Sequence, residues 1–405
     1  GMEAAEPCVI VDLLESLHAK SLVLAESLDR RPRYRFLETV REYARERLEA
    51  GGEADACRIR HLAFFTQLAE QGQGELVGAG QKDWFLRFDR EHANIIGALR
   101  RSRQLPGQAG LGLRLAVAMA RYWATRGLYD MARRHLQKSL SLPAGPELAP
   151  VRANALVRLG GMALYMGDYE ACHEVLAESL DLYRSLEDTA GIVRSLSGLF
   201  TVSIYRQDYD EAESRGREVL AQYQAQENTH GAALSLHNLG FLAFCRGDYA
   251  AAVERYQEAV RGLKQTGDEK LTALTLAALG HASIRVGRVD AAVAQLIGCL
   301  AIVQGLGAKR EAGDALFAAA ELALELKETD KAARFVGFAK SVRQDMGSSL
   351  SPPEKESEKA LMDQLMAVGG AGRVRPEVDA GRAVGFDGAV AEALEWLSSL
   401  PIELE

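Results

Sequence analysis

A six-residue motif returns at a fixed interval of forty residues through the middle of this chain. It reads Gly127-Leu128-Tyr129-Asp130-Met131-Ala132, then Gly167-Asp168-Tyr169-Glu170-Ala171-Cys172, then Gln207-Asp208-Tyr209-Asp210-Glu211-Ala212. It continues as Gly247-Asp248-Tyr249-Ala250-Ala251-Ala252 and Gly287-Arg288-Val289-Asp290-Ala291-Ala292, and ends in a worn copy, Lys327-Glu328-Thr329-Asp330-Lys331-Ala332. Six copies without an insertion mark a repeat array. The 405 residues would otherwise be read as two or three globular domains. In an array the core lies between neighbouring units rather than around one centre.

Within each unit the apolar spacing predicts two helices. Leu156, Leu159, Gly160 and Ala163 of one first helix correspond to Leu196, Leu199, Phe200 and Ser203, then to Leu236, Leu239, Gly240 and Ala243, then to Leu276, Leu279, Gly280 and Ser283. The glycine in this column is expected to let paired helices approach closely. The small residue at Ala212, Ala252 and Ala292 should do the same for the second helix. Asp188, Asn228 and Asp268 precede first helices and are expected N-caps, Asp188 being less well placed because Gly191 follows it. Pro143 and Pro146 predict a change of superhelical angle after the first unit. The unit resembles the tetratricopeptide repeat, with leucine in place of its usual tryptophan and six residues added to its ~34. The expected fold is all-α: a right-handed tetratricopeptide-like α-solenoid of about six 40-residue helical hairpins over residues 106–345. A helical cap over 346–405 should cover its exposed end, with a turn at Ser348–Pro353, a helix over Glu354–Val368, a flexible break at Gly369–Gly372 and a last helix over Ala389–Leu400.

The first fifty residues read differently. Val9, Leu13, Leu14 and Leu17 have helical spacing, Ser21–Ala25 reads as a strand, and Asp29 to Arg33 with Pro32 supplies a turn. Tyr34-Arg35-Phe36 returns as a second strand, and Val40, Ala44 and Leu48 resume a helix. Helix, hairpin and helix predict a small winged-helix remnant over 1–50. Two linker helices, Arg58–Glu70 and Lys82–Arg103, follow within 51–105, separated by a loose glycine-rich stretch from Gln71 to Gly80.

Several stretches here resemble the STAND-class bacterial signalling ATPases, including LuxR-type transcriptional regulators. They are Leu13-Leu14-Glu15-Ser16-Leu17, Lys20-Ser21-Leu22, the run from Tyr34 to Leu48, His61-Leu62-Ala63-Phe64-Phe65 and Glu91-His92-Ala93-Asn94-Ile95. The resemblance spans essentially the whole chain and is densest in the first hundred residues. It implies the C-terminal part of such a protein, with the winged helix serving as a hinge and the array as the sensor. The chain departs from that family in lacking a phosphate-cradling Gly-Lys-Ser or Gly-Lys-Thr loop. Gly262-Leu263-Lys264 and Gly307-Ala308-Lys309 are its nearest imitations, and neither follows a strand. No complete DNA-reading helix-turn-helix is evident either, so any DNA contact would come through segments outside this sequence. Gly1 before Met2 reads as an expression scar.

Charge and chemistry narrow the function further. A net charge of −8 argues against general affinity for nucleic acid or membranes. Arg30, Arg31, Arg33, Arg35, Arg41, Arg45 and Arg47 form a basic cluster. Glu38, Glu42 and Glu46 interleave with it at helical spacing, which predicts a solvated, ion-paired face. The five cysteines are odd in number and scattered, which argues against a zinc site or a disulfide framework and for a reducing, cytoplasmic setting. Cys172 and Cys299 read as small core residues. No apolar run approaches the ~20 residues of a membrane span. No catalytic constellation is present, so an enzyme is not expected, and no cofactor or metal is implied.

Binding is the remaining function. The tetratricopeptide resemblance places the first helices on a concave wall. It assigns Arg121, Asn154, Tyr165, Arg194, Thr201, Tyr205, His237, Phe241, His281 and Arg285 to that wall as candidate contacts. Phe244 and Ile284 lie between wall and core. Arg114, with Arg121, Asn154 and Arg194, makes one end basic. Asp314, Glu321 and Glu325 make the other acidic. Such a groove suits a protein or peptide partner anchored on aromatic residues, a small effector, or the ATPase domain of the same protein. The expected function is the non-catalytic sensor and interaction arm of a signalling ATPase, a transcriptional regulator. The alternative is a free-standing tetratricopeptide scaffold or adaptor, which a native start at Met2 would favour.

Overall fold

The computed structural model describes residues 7–28, 31–77, 80–143, 145–346, 350 and 352–401. The chain forms two compact units that divide between His61 and Leu62.

The first unit contains α1 (Pro7–Ala19), β1 (Val23–Leu28), β2 (Arg31–Phe36), α2 (Glu38–Ala50) and the start of α3 (Ala54–Glu75). The order matches the expected helix, hairpin and helix. The strands are longer than their alternation predicts, pairing antiparallel from Val23 opposite Phe36 to Leu28 opposite Arg31. Pro32 fits because a two-stranded ribbon leaves every other amide unpaired. Asp29 and Arg30 of the expected turn lie outside the described residues. The stripe expected on α2 is not buried. Its arginines are matched instead by acids one turn away, Arg41 with Glu38 and Arg45 with Glu42, while Arg47 lies over the Tyr43 ring at 5.1 Å. Exposed pairs of this kind add little stability but do neutralise the cluster.

The second unit opens with the remainder of α3 and α4 (Gln81–Ser102). The stretch read as loose from Gln71 is helical to Glu75. Gly72 holds it there, because a Cβ at that position would meet the Phe88 ring at 2.3 Å and the Trp84 ring at 2.5 Å. Six helical hairpins follow: α5 (Ala109–Thr125) with α6 (Tyr129–Leu140), α7 (Ala149–Tyr165) with α8 (Tyr169–Ser185), and α9 (Thr189–Tyr205) with α10 (Tyr209–Ala225). The last three are α11 (Thr229–Cys245) with α12 (Tyr249–Thr266), α13 (Glu269–Arg285) with α14 (Val289–Leu306), and α15 (Lys309–Glu325) with α16 (Thr329–Met346). This is the expected tetratricopeptide-like solenoid.

Each hairpin reverses through one left-handed residue: Gly127, Gly167, Gln207, Gly247, Gly287 and Lys327 all have positive φ. Glycine adopts that conformation without strain, while Gln207 and Lys327 bear a cost of about 1–2 kcal/mol each. The side chains of Asp188, Asn228 and Asp268 accept from backbone amides three residues on, at 2.9, 2.8 and 3.1 Å. Asp188 therefore caps as well as its counterparts, since Gly191 supplies the amide that it bonds.

Within the hairpins, size is matched across one contact. Gly160 faces Leu176, Gly240 faces Tyr256 and Gly280 faces Leu296, each close enough that a Cβ on the glycine would lie within 2.9 Å of the larger side chain. In the third hairpin the order is inverted, with Phe200 in the glycine column and Gly216 facing it. Cys172 and Cys299 are buried, as their small-residue columns imply. Helix α14 is long and apolar enough to cross a membrane by length and composition, so the sequence does hold one run close to that limit. Val293, Leu296, Cys299, Leu300, Val303 and Leu306 of α14 lie in the core.

Past α16 come α17 (Pro352–Gly369), α18 (Ala371–Arg382) and α19 (Phe386–Ser399). Ser348, Ser349 and Ser351 of the expected turn lie outside the described residues, and Pro352 and Pro353 begin α17. The expected break at Gly369–Gly372 is a tight turn through Gly370, at φ 72°, into the unforeseen α18. Helix α18 lies almost backbone to backbone on α16: a Cβ on Gly381 would meet the Arg334 carbonyl oxygen at 2.1 Å. Helix α19 covers the end of the array, with the Trp396 ring 5.1 Å from that of Phe335.

The array also curls until its start meets its fifth hairpin. Arg121 of α5 donates to Asp268 at the head of α13 at 2.6 Å, and Arg126 donates to the carbonyl of Leu306 at the end of α14. One core consequently runs from the first helices of this unit to its last.

Candidate functional site: an aromatic cavity on the inner wall

The inner wall of the curl holds a half-open cavity of about 430 Å³. Its wall comes from the first helices α5, α7, α9, α11, α13 and α15, and Pro353, Glu354 and Ser357 of α17 cover part of it. Eight of the ten expected contacts line this one space: Arg121, Tyr165, Arg194, Thr201, Tyr205, His237, Phe241 and His281. Phe244 lines it too, while Ile284 is core at 2% exposure.

Two expected contacts do not reach the cavity. Arg285 shares the column of Tyr165 and Tyr205, and a common rule governs that column. A tyrosine opens the second helix of the first four hairpins, and it packs on the residue thirty-six positions later: Tyr129 on Tyr165 at 4.9 Å and Tyr169 on Tyr205 at 5.6 Å. Arg285 obeys the same rule by lying 4.9 Å over Tyr249 and donating to its hydroxyl at 3.0 Å. Its long side chain is thereby held at the exposed rim. Asn154 lies one turn before Arg158 on α7 and faces a separate shallow opening beside Glu70, Arg114 and Tyr183.

Rings pave the wall. Tyr205 and Phe241 lie 5.5 Å apart, Phe244 and His281 4.6 Å, and His281 and Phe317 5.8 Å. His237 is buried, contrary to its expected exposure, because its ring packs 5.4 Å from that of Tyr256. Thr275 donates its hydroxyl proton to the Leu271 carbonyl at 2.8 Å, so at 3.1 Å it accepts from His237 Nδ1–H. Nε2 is then the unprotonated ring nitrogen. Burial, with Arg310 adding repulsion, pushes the imidazole down to about 4. Burial likewise pushes the Tyr205 hydroxyl up, leaving it neutral.

The polar groups converge in pairs. Asn238 donates to Thr201 at 2.9 Å, Lys270 to Glu311 at 2.5 Å, and Arg343 reaches Asp314 at 3.3 Å. His281 faces Glu321 at 2.6 Å. The basic and acidic ends expected of an open groove are not separate here, because Asp314 of the acidic end lines the same space as Arg121 and Arg194. Arg158, Asn238, Lys270 and Arg310 were not among the expected contacts. Arg158 does stand out by column: its counterparts are Ala118, Gly198, Asn238, Ala278 and Ala318. No group of three or more His, Cys, Asp or Glu residues arranged to hold a metal occurs among the described residues.

Similarity to known proteins agrees with the fold. A tetratricopeptide-repeat family profile matches residues 201–265, about the third and fourth hairpins. Three mycobacterial proteins, one from Mycobacterium bovis and two from strains of Mycobacterium tuberculosis, are each 35% identical over 136 residues. Each bears the provisional name of HTH-type transcriptional regulator. The matched stretch is 34% of this chain and only 14% of each relative's length. Among solved structures, a Rap protein complexed with Competence and Sporulation Factor aligns over 94% of this chain and 100% of its own, at 12% identity and a TM-score of 0.55. That likeness establishes a shared fold. A signal transduction ATPase with a tetratricopeptide repeat sensor from Pyrococcus horikoshii covers 95% of this chain and 58% of its own, at 17% identity and a TM-score of 0.44.

Proposed function

We propose that this chain is the effector-sensing arm of a cytoplasmic signalling regulator and that the inner cavity is where the effector binds. The observation that carries the reading is the cavity itself. It holds about 430 Å³ behind a wall of aromatic rings, within the range of small-molecule sites. A space of that size takes a small molecule or the end of a peptide, not a folded partner. Support for a regulator comes from the partial match to the mycobacterial proteins. The Rap protein of the same fold was solved in complex with Competence and Sporulation Factor, and a bound partner of that kind fits the reading.

The mechanism would be differential binding. The cavity wall draws on early hairpins through Arg121 and Tyr165 and on late ones through Arg310 and Phe317. An occupant touching both sides favours the curled arrangement over an opened one, and that preference is the signal. The winged-helix assignment of the first unit, and its role as a hinge to an ATPase, belong to the same proposal. No residue of this chain is given a catalytic part.

The test is retention. The immobilised chain is exposed to a small-molecule and peptide extract, and retained species are identified by mass spectrometry. Compounds held by the wild type and lost from Tyr205→Ala and Phe241→Ala are the expected result. Identical retention by all three proteins would overturn the reading.

A further inference from the structure

We propose that the cavity selects an anion: a carboxylate or phosphate monoester attached to a flat apolar body, with Arg158 and Arg194 receiving the charge. This rests on the reading of the cavity as an effector site and names the chemistry of the occupant.

Nearly every buried cation around the cavity has an acid of its own. Arg121 has Asp268 at 2.6 Å, Lys270 has Glu311 at 2.5 Å, and Arg343 has Asp314 and Glu358 at 3.3 and 3.2 Å. Arg310 lies between Asp314 and Glu354, at 4.0 and 3.7 Å. Two guanidiniums break the pattern. Arg194 donates to the Tyr183 hydroxyl at 3.2 Å, and among the described residues no acid lies within ion-pair distance of it, although Asp188 lines the neighbouring opening with it. Arg158 is half-buried, lines the cavity, and has an Nε–H without a hydrogen-bond partner; no acid pairs with it among the described residues. Burial, and after it the nearby charges of Arg194 and Arg121, pushes Arg158 down to about 10, so the group remains charged at neutral pH and is poorly solvated.

Packing gives no reason for an arginine here, since the column otherwise holds Ala, Gly and Asn. An unpaired charge withdrawn from water destabilises a fold unless something answers it. Two planar guanidiniums match the oxygens of a carboxylate or phosphate, which accept their N–H groups in parallel. Tyr165, Tyr205 and Phe241 line the same space and offer faces for a ring or other flat apolar group. The Thr201 hydroxyl beside them is already committed, donating to the Ser197 carbonyl at 2.9 Å and accepting from Asn238 at 2.9 Å, which leaves the guanidiniums as the donors for an anion.

The probes are phenyl phosphate, N-acetylphenylalanine and the neutral N-acetylphenylalaninamide, titrated calorimetrically into the full chain. At least one anion is expected to bind tenfold or more tightly than the amide. Either anion satisfies the proposal. Tighter phenyl phosphate points to a phosphorylated small molecule, and tighter N-acetylphenylalanine to a peptide's terminal carboxylate. Arg158→Met is expected to abolish the preference while melting no lower than wild type without ligand, and Arg194→Met is the second variant should Arg158→Met fail to fold. Equal binding of amide and anions, a preference that survives in the folded variants, or no binding of either anion would overturn the proposal. If the retention experiment still yields cavity-dependent neutral ligands, the effector site stands and only its anion preference falls.

Discussion

Arg121 donates to the carboxylate of Asp268 at 2.6 Å and so joins residues 147 positions apart in the chain. Asp268 also accepts from His230 at 2.9 Å and from the Leu271 amide at 3.1 Å, and it is fully buried. Burial by itself would raise its pKa. The His230 hydrogen bond, the charge of Arg121 and the amide outweigh that effect and hold the carboxyl well below its usual range. One side chain thus caps α13 and closes the curl.

Asp268→Ala should cost about 2–4 kcal/mol in urea unfolding, because it takes the carboxylate from the half-buried Arg121, leaving it only the Leu76 carbonyl, as well as removing a cap. The native carboxyl has a depressed folded pKa. Its contribution is fully present above the unfolded value near 4 and is lost as pH falls through the folded one. Asp268→Asn should therefore unfold with a shallower acid limb below about pH 4 than wild type. A variant that keeps both wild-type stability and the wild-type acid limb would remove Asp268 from the closing contact.

Phe200 and Gly216 offer a test of how the units pack. Their neighbours place the glycine on the first helix and the large residue on the second, as with Gly160 and Leu176. Phe200→Gly opens a cavity and should cost about 3–5 kcal/mol. Gly216→Leu alone should overpack, since even a Cβ there would meet the Phe200 ring at 2.6 Å and Leu239 at 2.8 Å, the second of which must shift in either variant. The double variant restores the neighbours' arrangement and should recover at least half of the summed loss, read from a double-mutant cycle in urea. Strict additivity would mean that the two positions do not share one contact.

What the sequence could show follows from what repeats. The forty-residue period reports side chains that each unit needs for its own packing, so hairpins, turns and caps were legible. The columns facing inward were legible for the same reason, and eight of ten candidate contacts line one space. Closure of the curl was not, because the meeting of Arg121 and Asp268 depends on rotation accumulated over several units, which no single unit encodes. That rotation also turned an expected open groove into a cavity. Helix α18 is not expected from the sequence because Gly369–Gly372 reads as a flexible break. Pro376 is an interior proline of α18, so the helix forms without the bond its amide would have made to the Gly372 carbonyl, and Gly381 serves contact with α16 rather than a turn. Arg285 shares the inward column but lies outside the cavity, because its length lets it turn onto Tyr249.

Lys270 and Glu311 form a buried pair at 2.5 Å, with side-chain exposures of 12% and 1%. Neither is expected to be replaceable alone. Lys270→Met leaves a buried carboxylate and should cost about 3–5 kcal/mol. The double variant Lys270→Met with Glu311→Gln removes both charges and should lie within about 1.5 kcal/mol of wild type. Equal destabilisation by the single and double variants would show that Glu311 is held by groups other than Lys270.

His237 supplies the pH dependence near neutrality. Burial, with Arg310 as the second cause, pushes the ring down to about 4 in the folded chain. The unfolded chain takes up a proton near pH 6.5, whereas the folded chain resists doing so until about pH 4. Stability is therefore fully present above the unfolded value and falls progressively between those two pH values, by an amount on the order of 3 kcal/mol for this residue. His135 acts in the same direction, its ring pushed down to about 4 by burial and then by Arg103. His237→Gln keeps a side-chain donor for Thr275 without a titrating group. Its urea midpoint should drop less than that of wild type between pH 7 and pH 5. An equal drop in both proteins would show that His237 takes up its proton without unfolding, and that the cavity admits the charge.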